Sequence, residues 1–222
     1  MTYTILIPVY NEQEALPRLL SEIKKLDDKI EIIFIDDGSD DNTSSLLAND
    51  KRIKSVKNKS NLGKGASIRK GINIASNQNV ILMDGDLEID INSIVKLIDE
   101  YEKNNYSVIV GVRWQKHGKA LFQINRLGNF FINCLFNFLY LKNFNDVLCC
   151  VRILDINLLK SLKLQSEGFS IEIETIAKLV LKGEPIAEYN VQYKRRTQKE
   201  GKKLRLTDSW DIILTMIKIR LT

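Results

Sequence analysis

Through residues 1–112 the chain alternates short β-branched runs with longer segments of helical spacing, and no other feature restricts its fold so severely. Tyr3 to Val9, Ile30 to Ile35, Ile53 to Val56, Asn79 to Met83 and Ser107 to Val112 read as strands. Between them, Glu14 to Leu26, Asn42 to Asn49, Lys64 to Ser76 and Ile91 to Asn104 carry apolar residues at helical intervals. Such alternation predicts right-handed crossovers and a mostly parallel sheet flanked by helices, the α/β class. Ligands of these sheets sit outside the carboxyl ends of the strands, and the polar motifs fall at that edge. "PVYNE" (8–12) follows the first strand, "DDGSDDNT" (36–43) ends the second, and "DGDLE" (84–88) follows the fourth.

After Arg113 the pattern changes. An aromatic-rich helix is expected from about Gln123 to Leu141, then a short segment through Cys149-Cys150, a helix from Ile171 to Leu181, a strand near Pro185 to Tyr193, a basic segment, and a closing helix from Asp208 to Leu221. With no composition break, residues 1–222 read as a single domain: a ligand-binding half (1–112), an opposite half (113–205) and a C-terminal amphipathic helix (206–222). The 44% hydrophobic content suits a substantial core, and the net charge of +5 favours an anionic partner without choosing among nucleic acid, phosphorylated ligand and lipid surface. Three cysteines, two of them adjacent, argue against a secreted disulfide framework. No basic n-region with an apolar stretch and cleavage site opens the chain, so no signal peptide is expected. Phe130 to Leu141 falls short of the ~20 residues a spanning helix needs.

The motifs differ in what they specify. In "FIDDGSDDNT", Gly38 permits a sharp turn and Ser39 to Asn42 can cap the next helix, while an acidic residue at this strand end can also bond a ribose or a base. "NLGKGASIRKG" (61–71) sets glycines before a helix start, where N–H groups could face an anion, but it lacks the spacing of a P-loop or a dinucleotide fingerprint. Asp84 and Asp86 offer hard oxygen ligands suited to Mg²⁺ or Mn²⁺ bridging a diphosphate, or else belong to a solvated acidic turn. With His117 the only histidine, Cys149 and Cys150 read as packing residues rather than nucleophiles.

In this order and spacing, "PVYNE", "DDGSDDNT", "NLGKGASIRKG" and "MDGDLE" resemble the nucleotide-binding half of the inverting family 2 glycosyltransferases with the GT-A fold. "GVRW" (111–114), Arg126 in "INRLGN", "NDVLCCVRIL" (145–154) and "EYNVQYKRRTQKEGKKLR" (188–205) bring the chain closer to the dolichyl-phosphate mannose synthase-like polyprenyl-phosphate glycosyltransferases. The resemblance implies a GT-A (Rossmann-like) sheet with acceptor-side helices toward the C-terminus. It implies that Pro8, Tyr10, Glu12 and Asp37 hold the nucleoside, with the Gly63-Lys64 helix start nearby. Asp84 and Asp86 would bind Mg²⁺ or Mn²⁺ and the diphosphate, and Glu88 would complete the metal shell where the family often has Gln. Arg113 and Arg126 would receive the lipid phosphate, and Arg196 and Lys203 would close over the donor phosphates. The family commonly has a small residue, Gly, Phe and Arg where this chain has Cys149-Cys150-Val151-Arg152, which reshapes the acceptor wall.

The partners so implied are a nucleotide-diphosphate sugar, a polyprenyl phosphate and a membrane surface, with no nucleic acid; subunit number is not legible. A phosphate monoester is ionised near neutral pH, so its attack on the anomeric carbon with inversion needs no general base. Peripheral attachment on the cytoplasmic side is expected through Phe130 to Leu141 and the closing helix, although both helices also have core-like patterns. Transfer to a saccharide hydroxyl and a non-catalytic nucleotide-sugar-binding subunit are the competing readings.

Overall fold

The computed structural model describes residues 1–113, 124–195 and 206–222. Its strands are β1 (Tyr3–Val9), β2 (Glu31–Asp36), β3 (Lys54–Lys57), β4 (Asn79–Leu82), β5 (Val108–Val112), β6 (Arg152–Asp155) and β7 (Ile186–Asn190). The helices are α1 (Leu16–Ile23), α2 (Thr43–Ala48), α3 (Lys64–Ile74), α4 (Ile91–Asn104), α5 (Ile124–Tyr140), α6 (Ile156–Ser161), α7 (Ile171–Leu181) and α8 (Leu206–Leu221). They surround one seven-stranded sheet of order β3-β2-β1-β4-β6-β5-β7. The expected strands and helices all form, with ends moved by a few residues where the turns take over.

Two elements were not anticipated. The segment after Cys149-Cys150 forms β6, which runs antiparallel to both β4 and β5, and α6 follows it at once. Asp155 separates the two by capping α6, accepting bonds from the Asn157 and Leu158 N–H groups. The remaining pairings are parallel, so the sheet is mostly parallel, as the strand-helix alternation predicts.

Period-two alternation in β1 divides the core. Tyr3, Ile5, Ile7 and Val9 face a layer with Leu16, Leu19 and Ile23 of α1 and Ile91, Ile94, Leu97 and Tyr101 of α4. Leu6 faces the opposite layer with Ile68 and Ile72 of α3, Phe136 of α5, Ile173 and Ile176 of α7 and Met216 of α8. Helices thus cover both faces, and the sheet's carboxyl edge is left to loops.

At the opposite edge Glu31 binds three elements. Its carboxylate accepts bonds from Thr4 Oγ1 (2.5 Å), Ser76 N (2.9 Å) and Ser76 Oγ (2.8 Å), and pairs with Lys54. Burial works to raise its pKa, but the bonds from Lys54, Thr4 and Ser76 prevail and bring it from 4.5 down to about 2. A depressed pKa means a contribution present above the unfolded value and lost as pH falls through the folded one. Glu31→Gln is therefore expected to cost about 1–2 kcal/mol at pH 7. The deficit should close as the pH falls from about 4.5 toward 2, as read from urea midpoints; a pH-independent deficit would refute the assignment.

Candidate active site at the carboxyl edge of the sheet

The loops after β1 and β2 are sewn together. Asn11 Nδ2 donates to Asp40 Oδ1 (2.7 Å) while Asp40 N donates to Asn11 Oδ1 (3.0 Å). Asn11 N donates to Ser39 Oγ, and Glu12 N to Thr43 Oγ1, each at 2.9 Å. Half-buried Pro8, Tyr10 and Glu12 are thereby held beside the second motif. Gly38, at φ +77, lies where a Cβ would come 2.5 Å from the Ser60 carbonyl carbon, so only glycine fits there.

Asp37 is buried, and its carboxylate is used by the chain itself. Oδ1 accepts from Asn58 Nδ2 (2.7 Å) and Leu62 N (3.0 Å), and Oδ2 from Gly63 N (2.8 Å). It shapes the approach to α3 and places Gly63 and Lys64. The start of α3 does not present its N–H groups to an open cleft: Gly65 N (2.5 Å) and Ala66 N (3.1 Å) both donate to the Glu167 carbonyl. A Cβ on Gly65 would lie 2.2 Å from Ser166 O, so this close seating depends on glycine. Segment 165–168 thus takes up two of the N–H groups that the sequence suggested could face an anion.

Asp84 and Asp86 stand just beyond β4, next to β1 in the centre of the sheet. The turn that presents them is strained: Leu87 has φ 58, a conformation unfavourable for a branched side chain, and Glu88 N donates to Asp86 Oδ1 (3.0 Å). Burial, then the charges of Asp84 and Glu88, push the Asp86 carboxyl from 3.8 up to about 7. Glu88 accepts the Tyr193 hydroxyl, whose pKa is raised by burial and then by Glu88. Among the described residues no three His, Cys, Asp or Glu side chains converge as a ready metal cage. Glu88, which the resemblance makes a ligand, is thus joined to Tyr193 in this structure. Two crowded hard-oxygen carboxylates nonetheless fit Mg²⁺ or Mn²⁺, which take few protein ligands and complete their shells with water and phosphate.

Lys64 reaches into the same site. Its ammonium lies 2.5 Å from Asp84 Oδ1 and 2.7 Å from Glu172 Oε1. Glu172 in turn pairs with Arg152, which is wholly buried and also donates to the Cys149 carbonyl at 2.7 Å. Burial works against the charged lysine, yet Asp84 and Glu172 outweigh it and raise its pKa. Sequence reasoning missed Glu172 and Arg152. The signal for Glu172 was two glutamates in the first turn of an otherwise apolar helix, where α7 buries both Glu172 and Glu174.

On the far side, Arg113 donates from Nε (2.8 Å) and Nη2 (2.9 Å) to Asp146 and lies over the Tyr193 ring at 5.6 Å. Glu188 accepts from Asn145 N (2.7 Å) and Asn145 Nδ2 (2.5 Å), locking the loop that carries Asp146. Arg113 is therefore held in one plane beside Tyr193, and through it near Glu88. Arg196 and Lys203 lie outside the described residues, as does the side chain of Arg126. Cys149 and Cys150 are buried, and a hydrogen bond with Cys149, then burial, push the Cys150 thiol well above its ordinary range. Packing, as expected, is their role here.

Residues 4–155 match the model of the family described as Glycosyl transferase family 2. An uncharacterized protein of Methanocaldococcus jannaschii is 30% identical over 195 residues, 82% of this chain and 84% of its own. The dolichyl-phosphate beta-glucosyltransferase of Dictyostelium discoideum is 32% identical over 128 residues, 50% of this chain and 39% of its own. The undecaprenyl-phosphate 4-deoxy-4-formamido-L-arabinose transferase of Proteus mirabilis is 35% identical over 129 residues, 54% of this chain and 39% of its own. The chain thus spans about two fifths of these last two relatives. Among solved structures, glucosyl-3-phosphoglycerate synthase from Mycobacterium tuberculosis in complex with Mn²⁺, UDP and glucosyl-3-phosphoglycerate superposes with a TM-score of 0.77 at 19% identity, covering 98% of this chain and 79% of that one. At that identity the likeness speaks for the fold, which is GT-A.

Proposed function

The chain belongs to glycosyltransferase family 2, a family of enzymes, and from that membership we propose that it transfers a sugar from a UDP- or GDP-sugar to the phosphate of a polyprenyl lipid. The observation that carries the reading is the placement of Asp84 and Asp86 at the carboxyl end of β4, beside the joined loops that follow β1 and β2. Mg²⁺ or Mn²⁺ held by Asp84 and Asp86 would neutralise the diphosphate leaving group. Pro8, Tyr10 and Glu12 would border the nucleoside, with Asp37 setting the wall behind it. Arg113, its plane fixed by Asp146 through Nε and Nη2, would turn its remaining guanidinium edge to an incoming phosphate. Arg126, Arg196 and Lys203 are assigned to the acceptor and donor phosphates on the family pattern. Holding the two substrates in line would contribute much of the acceleration.

The named relatives from Dictyostelium and Proteus support a lipid phosphate acceptor, and so does the outer surface. α5 buries Ile132, Phe136 and Tyr140, and α8 buries Ile212 and Met216, so both helices belong to the core on one face. Their outward residues are a different matter: Phe130, Phe131, Phe138, Leu141, Trp210 and Leu221 are each at least 58% exposed. Tyr140 Oη donates to the Met216 carbonyl and Arg220 Nε to the Leu139 carbonyl, each at 2.9 Å, which sets the two C-terminal ends side by side. Exposed Lys142, Lys218 and Arg220 flank that apolar end, a composition suited to an anionic lipid surface. Among the described residues no helix is long and apolar enough to cross a membrane. The pair Leu141→Glu and Leu221→Glu is expected to lower the fraction bound to anionic phospholipid vesicles about tenfold with the melting temperature unchanged. Equal vesicle binding by parent and variant would remove this face from the proposal.

Purified protein with Mn²⁺, UDP- or GDP-sugars and a short-chain prenyl phosphate should form a glycolipid detectable by mass spectrometry. Transfer to a saccharide hydroxyl instead, or no transfer with any donor despite bound nucleotide, would overturn the assignment.

A further inference from the structure

Lys64 stands in an unusual position for a surface-helix residue. It is the first residue of α3, its side chain is 10% exposed, and its ammonium sits between carboxylates from two other elements, with the Phe169 ring 5.8 Å away. Asp84, Lys64, Glu172 and Arg152 form a row of alternating charges that sums to zero without any external ion. We propose that Lys64 is a built-in counter-cation: it occupies Asp84 in the donor-free protein, so a divalent ion competes with it there and binds well only when a donor diphosphate receives the ammonium. The inference rests on the reading of Asp84 and Asp86 as the metal-holding pair.

Three features support a movable rather than a purely structural lysine. Its two partners are not equivalent: Glu172 is fixed from behind by Arg152, whereas Asp84 lies in the strained turn at the cleft and is 28% exposed. The four-carbon stem can pivot about Glu172 without displacing α3, and an ammonium accepts phosphate oxygens as readily as carboxylate ones. Finally, two cations cannot share one Asp84 oxygen without mutual repulsion, which at such separations is worth an order of magnitude or more in affinity. Metal and donor binding would thereby be coupled, and the site would bind manganous ion weakly on its own.

The test titrates manganous ion alone, and in the presence of UDP or GDP, following loss of the aqueous Mn²⁺ paramagnetic resonance signal. Lys64→Met is expected to bind Mn²⁺ alone roughly tenfold tighter than the parent and to gain less from nucleotide. Glu172→Gln, which leaves the ammonium to Asp84 alone, is expected to bind Mn²⁺ several-fold more weakly. Both signs follow from charge alone, so the coupling decides: a lysine that stays on Asp84 when nucleotide binds leaves the nucleotide-induced tightening of Mn²⁺ the same in Lys64→Met as in the parent. Lys64→Met no tighter than the parent, or gaining as much from nucleotide as the parent does, overturns the inference; should Lys64→Met fail to fold, Lys64→Gln decides it. Asp84→Asn separates the two readings: if it retains parental Mn²⁺ binding the metal assignment itself fails, whereas weakened Asp84→Asn beside an unchanged Lys64→Met sinks only the counter-cation.

Discussion

Asp86→Asn is expected to melt no lower than the parent in metal-free buffer while its transfer rate falls about 10³-fold. The two halves of this expectation come from one arrangement. Burial and the neighbouring charges of Asp84 and Glu88 oppose ionisation of Asp86, raising its pKa to about 7. A carboxyl whose folded pKa is raised favours the native state below its unfolded value and loses that contribution as pH rises through the folded one. The parent should therefore lose stability between about pH 4 and pH 7 relative to the asparagine protein, which has no charge to bury there. Function demands the opposite, because asparagine offers a neutral oxygen where the proposed site needs a charged one. Thermal melts across this pH range, paired with glycolipid assays at saturating Mn²⁺, check both parts. A variant that loses activity in proportion to lost stability would make Asp86 a structural residue.

The second large effect is structural. Arg152→Met should lower the unfolding free energy by about 3–5 kcal/mol, measured by guanidinium denaturation. Arg152 is fully buried on β6 and satisfies a Glu172 side-chain oxygen, the Glu172 carbonyl (3.1 Å) and the Cys149 carbonyl (2.7 Å). Methionine fills similar space but leaves those acceptors dry and unpaired, and an unmatched buried charge costs more than the pair it belonged to is worth. Arg152 Nε has no partner of its own, so the native state already carries part of the burden of burying this guanidinium. Lys25→Met, which breaks the exposed pair with Glu22, should leave the denaturation midpoint where it is. An Arg152→Met protein within 1 kcal/mol of the parent would show that Lys64 alone suffices to neutralise Glu172.

Much of this molecule could be read along the chain. Short β-branched runs located β1, β2, β4 and β5 because strands buried on both faces have their apolar residues at adjacent positions, and apolar residues at helical intervals placed α3, α4 and α7. The carboxylates of "DGDLE" were legible as a site because charges directly after a buried strand have no local partner to neutralise them. β6 was not legible. Arg152 to Asp155 is too short to show a period, and its place between β4 and β5 depends on partners distant along the chain, from Val110 paired with Arg152 to Asn79 paired with Asp155.

Sequence by itself determined the mostly parallel sheet, its carboxyl edge, where sheets of this kind hold ligands, and the acidic pair at the centre of that edge, since these follow from local pattern and the handedness of crossovers. Only the tertiary structure decided who neighbours whom across that edge: Asp37 spent on the loop before α3, Glu167 covering the helix start, Arg113 fixed by Asp146, and Lys64 set between Asp84 and Glu172. The reason is physical: strand and helix patterns record interactions between residues a few positions apart, whereas an ion pair is set by distances through space that close only when the layers pack.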